Sequence, residues 1–365
     1  MEDPAGRPLR YGIIGAGMMG LEHLRNLHAV PGAEVVALAD PHPPSLTSGV
    51  TEAARIGAPP PATFADHRDL LASGLCDAVV VASPNMTHRA VLDDVLAADV
   101  HVLVEKPLCT TVADCRAVVE RARDRPGLVW VGLEYRYMPP VAALIDEVRS
   151  GRLGTVRMVA VREHRFPFLV KVGDWNRFNR NTGGTLVEKC CHFFDLLTLL
   201  AGGRPTRVVA SAGQDVNHLD ESYGGEQPDI WDNALVIVEY DNGVRASLDL
   251  CMFAEGSVNQ EELSVVGDVG KAEAFLPSGV LRTGERRGWH AGVAERVVTD
   301  ARVAHEGYHH GSSYLEHLAF LEAVRTGGPP AVSLEDGLLS VAVGVAAQVS
   351  AAERRSVDLD EVLAG

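Results

Sequence analysis

Two short stretches hold the residues best suited to chemistry. In "GGTLVEKCCHFFD", residues 183–195, a glutamate, a lysine, two adjacent cysteines and a histidine lie together; in "VLVEKPLCT", residues 102–110, a lysine leaves an apolar run just before a proline. A histidine, with an ordinary pKa near about 6.5, suits proton transfer at neutral pH. An ammonium at the end of a strand can stabilise an alkoxide as it develops. Metal and dithiol chemistry fit the first stretch poorly. Structural zinc sites bring a second Cys/His pair, and adjacent cysteines are not a C-x-x-C pair. Side chains at consecutive helical positions also diverge by about 100°. On a helix capped by Thr185, however, Glu188, His192 and Asp195 share one face, while Cys190 and Cys191 point elsewhere. By position alone, a surface Glu/His pair and a solvated Lys106 fit these residues as well.

The elements that must position these residues are of two kinds. "LRYGIIGAGMMGLEHLRNL" reads as strand, glycine turn and helix, with Gly15, Gly17 and Gly20 in the G-x-G-x-x-G spacing of a dinucleotide site. The second strand, "EVVALAD", ends in Asp40, whose carboxylate can take both hydroxyls of an adenosine ribose and would repel a 2′-phosphate. The pattern therefore predicts NAD as cofactor in preference to NADP. "TEAARIG" and "FADHRDLLAS" read as short helices, and "CDAVVVASPNMTHR" as a strand leading to a helix capped by Thr87; "HVLVEKPLCT" is the next strand. Near-continuous apolar strands alternating with helices mean a parallel sheet covered on both faces, with ligands beyond the strands' carboxyl ends. Gly15, Gly17, Met18, Met19, Gly20, Asp40, Ser83, Pro84, Asn85, His88, Glu105 and Lys106 fall at or next to those ends and form the expected cofactor site.

From about residue 136 the texture changes. Strands with few helices between them, joined at Asp241-Asn242-Gly243 and at Gly267-Asp268-Val269-Gly270, predict an open, mostly antiparallel sheet. The segment from Arg282 to Tyr308 reads as a long excursion, and two helices close the chain. His305, His309 and His310 are spaced like metal ligands but have no carboxylate or cysteine motif beside them, so no metal is expected. The expected fold class is α/β: a Rossmann-type domain over 1–135, then an α+β domain over 136–365 for substrate and self-association. A formal charge of −16 disfavours nucleic acid and anionic membrane as partners. Six scattered cysteines and the lack of a leader or an apolar run of membrane length point to a reduced, cytoplasmic protein.

"GIIGAGMMG", "VLVEKPLCTT" and "GGTLVEKCCHFFDLL" together resemble the glucose-fructose oxidoreductase, inositol dehydrogenase and rhizopine-catabolism (Gfo/Idh/MocA) family, and the resemblance runs along nearly the whole chain. It implies NAD(P)-linked hydride transfer at a secondary alcohol or ketone of a sugar or cyclitol. Lys106 then matches the family's catalytic lysine, His192 its proton-transferring histidine, and Asp195 the acid that commonly follows. Where members similar to inositol dehydrogenase carry an aspartate, this chain has Glu188, one methylene longer, which bears on substrate identity more than on reaction type. "YRYMPP" resembles a strand-exit motif with Arg136 near the cofactor, and "DWNRF" makes Trp175, Asn176 and Arg177 candidate substrate residues. Tyr308 and His309 stand where relatives contribute a further substrate contact, and the open sheet commonly carries homodimers or homotetramers. A ketoreductase of 3-oxo or nucleotide-linked sugars would use the same residues in reverse, and a non-enzymatic NAD-binding sensor is the alternative of a different class.

Overall fold

The computed structural model describes residues 6–288 and 292–364, which divide into two compact units. One runs to Glu134 and takes in Ala301–Leu338; the other comprises Tyr135–Asp300 and the chain from Leu339 onward.

In the first unit, six strands form one parallel sheet: β1 (Leu9–Ile14), β2 (Ala33–Ala39), β3 (Ala62–Phe64), β4 (Ala78–Val81), β5 (His101–Glu105) and β6 (Val129–Gly132). Their order, β3-β2-β1-β4-β5-β6, reverses direction between β1 and β4. Such a reversal opens a crevice at the strands' carboxyl ends. Every residue of β4 and β6 is buried, as the apolar runs require when helices cover both faces. Two expectations fail locally. Pro43, with its φ preset for a first helical turn, starts a helix at Pro43–Arg55, well before "TEAARIG". Asp66, whose side chain accepts from the Arg68 N–H, delays the next helix to His67–Ala72 and leaves the edge strand β3 ahead of it.

Residues 301–338 were expected beyond the boundary at 135 but pack with this first unit. The helix Ser312–Thr326 lies against the helix Met18–Ala29, and Glu316 accepts a 3.0 Å hydrogen bond from the Trp130 indole at the end of the sheet. Its buried run, Ser312–His317, carries polar groups whose partners are in the nucleotide-binding sequence, which fixes its place there.

The second unit is built on nine strands: β7 (Val156–His164), β8 (Pro205–Gly213), β9 (Asn233–Tyr240), β10 (Arg245–Cys251), β11 (Glu261–Gly267), β12 (Gly270–Leu276), β13 (Val280–Glu285), β14 (Val293–Val297) and β15 (Val357–Asp358). The order is β14-β13-β12-β11-β7-β10-β9-β8-β15, antiparallel throughout except where β7 runs parallel to β10. Period-two burial is plain on β9, where Ala234, Val236 and Val238 face inward and Leu235 and Ile237 outward. Both expected hairpins form, between β9 and β10 and between β11 and β12. The expected excursion contributes the edge strand β14; positions 289–291 lie outside the described residues.

The helix Leu334–Glu353 is the one described helix long and apolar enough to cross a membrane. Its Val341, Ala342, Val343, Ala346 and Ala347 are buried, and a Cβ on Gly344 would fall 2.5 Å from the Leu186 carbonyl oxygen, as suits a core helix.

Candidate functional site

The first unit gathers the expected cofactor residues at the carboxyl ends of its strands. Gly15 has φ +97°, and a Cβ there would stand 2.6 Å from the Ala82 and Ser83 backbone. A Cβ on Gly20 would fall 2.0 Å from the Gly15 carbonyl oxygen, so this glycine lets helix and turn touch. Gly17 differs: a Cβ there would meet no protein atom within 4 Å. Packing does not demand that glycine, whereas a pyrophosphate lying close over the backbone would.

Asp40, just past β2, accepts from two backbone N–H groups: Ala16 in the glycine turn (2.8 Å to Oδ2) and His42 at the start of the next helix (2.8 Å to Oδ1). The carboxylate is fixed in place, and each oxygen retains a further lone pair for a hydroxyl. Beyond β4, Ser83 and Pro84 are half-buried and Asn85 is buried, its amide nitrogen without a protein acceptor. An orphaned buried donor beside a glycine cradle fits a polar ligand. Met18 and Met19 are half-buried on the first turn of the helix. These features fit the NAD implied by the sequence.

Two of the expected cofactor residues in this unit are tied to protein partners. His88 is fully buried; its Nδ1 lies 2.8 Å from the Pro107 carbonyl oxygen and its Nε2 3.0 Å from that of Ser83. Burial pushes its pKa down; the ring lies between the exits of β4 and β5, and in its neutral form it donates to one of the two carbonyls. Glu105 is 5% exposed, and its oxygens are taken by His23 Nε2 (2.8 Å) and by the Lys106 backbone N–H (3.1 Å). Burial pushes the Glu105 carboxyl up, but His23, Lys106 and His309 outweigh it and hold it low. Glu105 therefore anchors the backbone of half-buried Lys106. Behind it, His23 Nδ1 lies 2.9 Å from Nε2 of the buried His317. His309 Nδ1 lies 3.1 Å from Glu134, which also accepts from Ser313 Oγ, whereas Tyr308 is 55% exposed with its backbone N–H on Glu22.

The second unit places Glu188, His192 and Asp195 close together, but not on one helix. The chain forms Thr185–Glu188, turns through Lys189 and Cys190, and resumes as Cys191–Ala201. Gly184, with φ +91°, is the capping residue; the Thr185 hydroxyl instead donates to the Trp231 carbonyl oxygen, 2.6 Å away. A Cβ at Gly184 would overlap the Gln348 amide at 1.6 Å, which accounts for the glycine. His192 is 2% exposed, and its ring stacks on Tyr135 with centroids 4.0 Å apart and planes 9° apart. Asp195 holds the Arg136 guanidinium through both oxygens. Arg136, expected at the cofactor, directs its fork to the helix of His192.

Asn176 and Arg177, expected substrate residues, are 0% and 2% exposed. Asn176 Nδ2 donates to the Leu169 carbonyl oxygen and Arg177 pairs with Glu221 at 2.9 Å, so both brace their loop while Trp175 stays half-buried. Cys190 and Cys191 are fully buried, and among the described residues no group of three or more His, Cys, Asp or Glu is placed to hold a metal.

Sequence reasoning missed His23, His317, Tyr135, Lys189, Glu163 and Glu261. Each stands next to other polar residues, and nothing in the local pattern marks its buried partners.

Residues 9–133 match the oxidoreductase family's NAD-binding Rossmann fold, and residues 145–359 match its C-terminal alpha/beta domain. The chain is thus an oxidoreductase whose cofactor is NAD. It belongs to the Gfo/Idh/MocA family. It is 28% identical to the myo-inositol 2-dehydrogenase of Thermotoga maritima, over 97% of this chain and all of that one. It is 32% identical to an inositol 2-dehydrogenase of Acidothermus cellulolyticus, over 77% of each. Its fold is similar to the crystal structure of a probable dehydrogenase from Thermotoga maritima, with a TM-score of 0.78 and 27% identity over 97% of this chain and all of the other.

Proposed function

We propose that the protein oxidises a ring hydroxyl of a cyclitol or sugar, with an inositol as the leading substrate class. The observation that carries this is the glycine cradle with its open Gly17, the anchored Asp40 and Lys106 at the strand ends, in a chain whose relatives are named inositol dehydrogenases. Gly15 to Gly20 and Asn85 would hold the pyrophosphate side of NAD, and Asp40 its adenosine ribose. When bound, the nicotinamide supplies the hydride acceptor.

The remaining work falls to the chain's own groups. His192 takes the hydroxyl proton, and its buried ring suits a neutral base. Lys106 stabilises the oxygen as charge develops, and Glu188 orients the substrate. Run in reverse, the same groups reduce a ketone. A panel of inositol isomers, hexoses and their oxo forms, with NAD(H) and NADP(H), tests this reading; a protein inert towards every polyol with NAD would sink it.

We also propose self-association through the outer face of the nine-stranded sheet, where Met158, Leu235 and Ile237 are 58%, 63% and 51% exposed. Light scattering reporting a monomer at micromolar concentration would refute this. With no disulfide joining the six cysteines, a reducing cytoplasmic setting is the consistent one.

A further inference from the structure

The second unit holds a buried chain of charged groups for which the reaction scheme has no use. Glu163 on β7 and Glu261 on β11 are directly paired across the sheet, on the face covered by the helix Cys191–Ala201, and are 0% and 5% exposed. Two carboxylates opposite each other in an apolar layer repel unless one is neutral and the other is paired. Glu261 takes the first part: burial, then the charge of Glu163, pushes its carboxyl up to about 8. Glu163 takes the second, with Lys189 Nζ 3.0 Å away and Arg165 Nη1 at 3.5 Å.

Lys189 does not stop at that ion pair. Its Nζ donates to the Tyr135 hydroxyl at 2.7 Å and stands 4.8 Å from the Tyr135 ring centre and 5.2 Å from that of Phe193. Tyr135 is the ring stacked on His192. A lysine 4% exposed whose ammonium is shared between a carboxylate and a phenol is held firmly in place.

We infer that Lys189 is a positioning residue for His192: anchored on Glu163, it fixes Tyr135 against the imidazole and places a positive charge behind that ring. The inference rests on His192 being the proton-transferring group. The cation opposes a second proton on the imidazole and keeps the ring a base near neutral pH. Other titratable or charged groups in the elements packed here are Glu188, Cys190, Cys191 and Asp195 beside His192, Arg136 beside Tyr135, Tyr240 on β9, and Arg165 after β7. Arg136 is paired with Asp195 and Lys189 with Glu163, but it is Lys189 that donates to the phenol stacked on His192.

The test is an NMR titration of His192 in full-length protein labelled at histidine, assigned with H192Q, alongside turnover of myo-inositol with NAD. In K189M the His192 pKa is expected to rise by about half a unit or more, because a cation is lost while Glu163 remains. Turnover should fall tenfold or more with KM and the NADH dissociation constant within about twofold, and K189R should recover most of both changes. Should K189M not fold because it strands Glu163, K189M/E163Q removes that charge, and a smaller rise in the same direction is expected. An unmoved His192 titration in the folded variant overturns the inference. A shifted titration combined with normal turnover by H192Q would instead overturn the role of His192 and leave its coupling to Lys189 standing.

Discussion

The proposed role of Asp40 in cofactor choice can be given a magnitude from its surroundings. Its oxygens accept from Ala16 N–H and His42 N–H, each at 2.8 Å, so the carboxylate cannot swing away from a larger ligand without giving up both bonds. A 2′-phosphate in place of a ribose hydroxyl would put close to two negative charges beside it. At about 5 Å in a water-like dielectric, each pair of unit charges repels by about 0.8 kcal/mol, hence about 1.7 kcal/mol in total. Loss of the hydroxyl-to-carboxylate hydrogen bond adds about 1 kcal/mol, for a preference of roughly a hundredfold. Wild-type protein titrated calorimetrically should bind NADH about that much more tightly than NADPH. D40A should narrow the ratio tenfold or more and also lower the thermal midpoint, since two backbone donors lose their acceptor. In D40S/H42R, serine retains an acceptor and the exposed position 42 supplies a cation, so NADPH should be preferred. Equal binding of the two cofactors by wild type, or a D40A ratio that does not move, refutes the reasoning.

Three further outcomes follow. K106A should lose at least a hundredfold in turnover while its NADH dissociation constant, read by fluorescence, stays within a few fold; near-normal turnover at saturating myo-inositol would remove Lys106 from the chemistry. G17A should keep the wild-type thermal midpoint, because its Cβ meets no protein atom within 4 Å, yet bind NADH tenfold or more weakly, whereas G20A should be destabilised by its 2.0 Å clash with the Gly15 carbonyl oxygen. Burial and the charge of Glu163 push the Glu261 carboxyl up from about 4.5 to about 8, so the folded state should hold an extra proton and wild-type stability should fall as pH rises through that interval, by at most about 1.4 kcal/mol per pH unit. E261Q cannot release that proton; its midpoint, measured by calorimetry from pH 5 to 8, should fall less than that of wild type, and parallel curves would show that Glu261 is ionised throughout.

What was legible in the sequence is what local pattern controls. Continuous apolar runs located β1, β2, β4, β5 and β6, because burial on two faces leaves that signature, and turn residues located the two hairpins of the open sheet, while β14 and β15 were not read. Gly15, Gly20 and Asp40 were legible because a tight turn, a close helix and a strand end impose residue type at fixed spacing. Partners distant in sequence were not. His23 meets Glu105 and His317 across 82 and 294 positions, and nothing near any of the three announces the other two. The return of residues 301–338 to the nucleotide-binding unit was hidden for the same reason: helix Ser312–Thr326 is buried by contacts whose other halves precede it by well over a hundred residues. His88, Glu105, Asn176 and Arg177 expose a more specific limit. A polar residue at a strand exit or on a loop reads as a ligand contact, yet a buried backbone turn also needs polar groups to satisfy its own carbonyls and N–H groups. Motif spacing cannot separate these demands, since both put the same residue types at the same place. Partners mark the second demand where it is met: the His88 ring lies between two backbone carbonyls, and the Glu105 carboxylate between His23 and the Lys106 N–H.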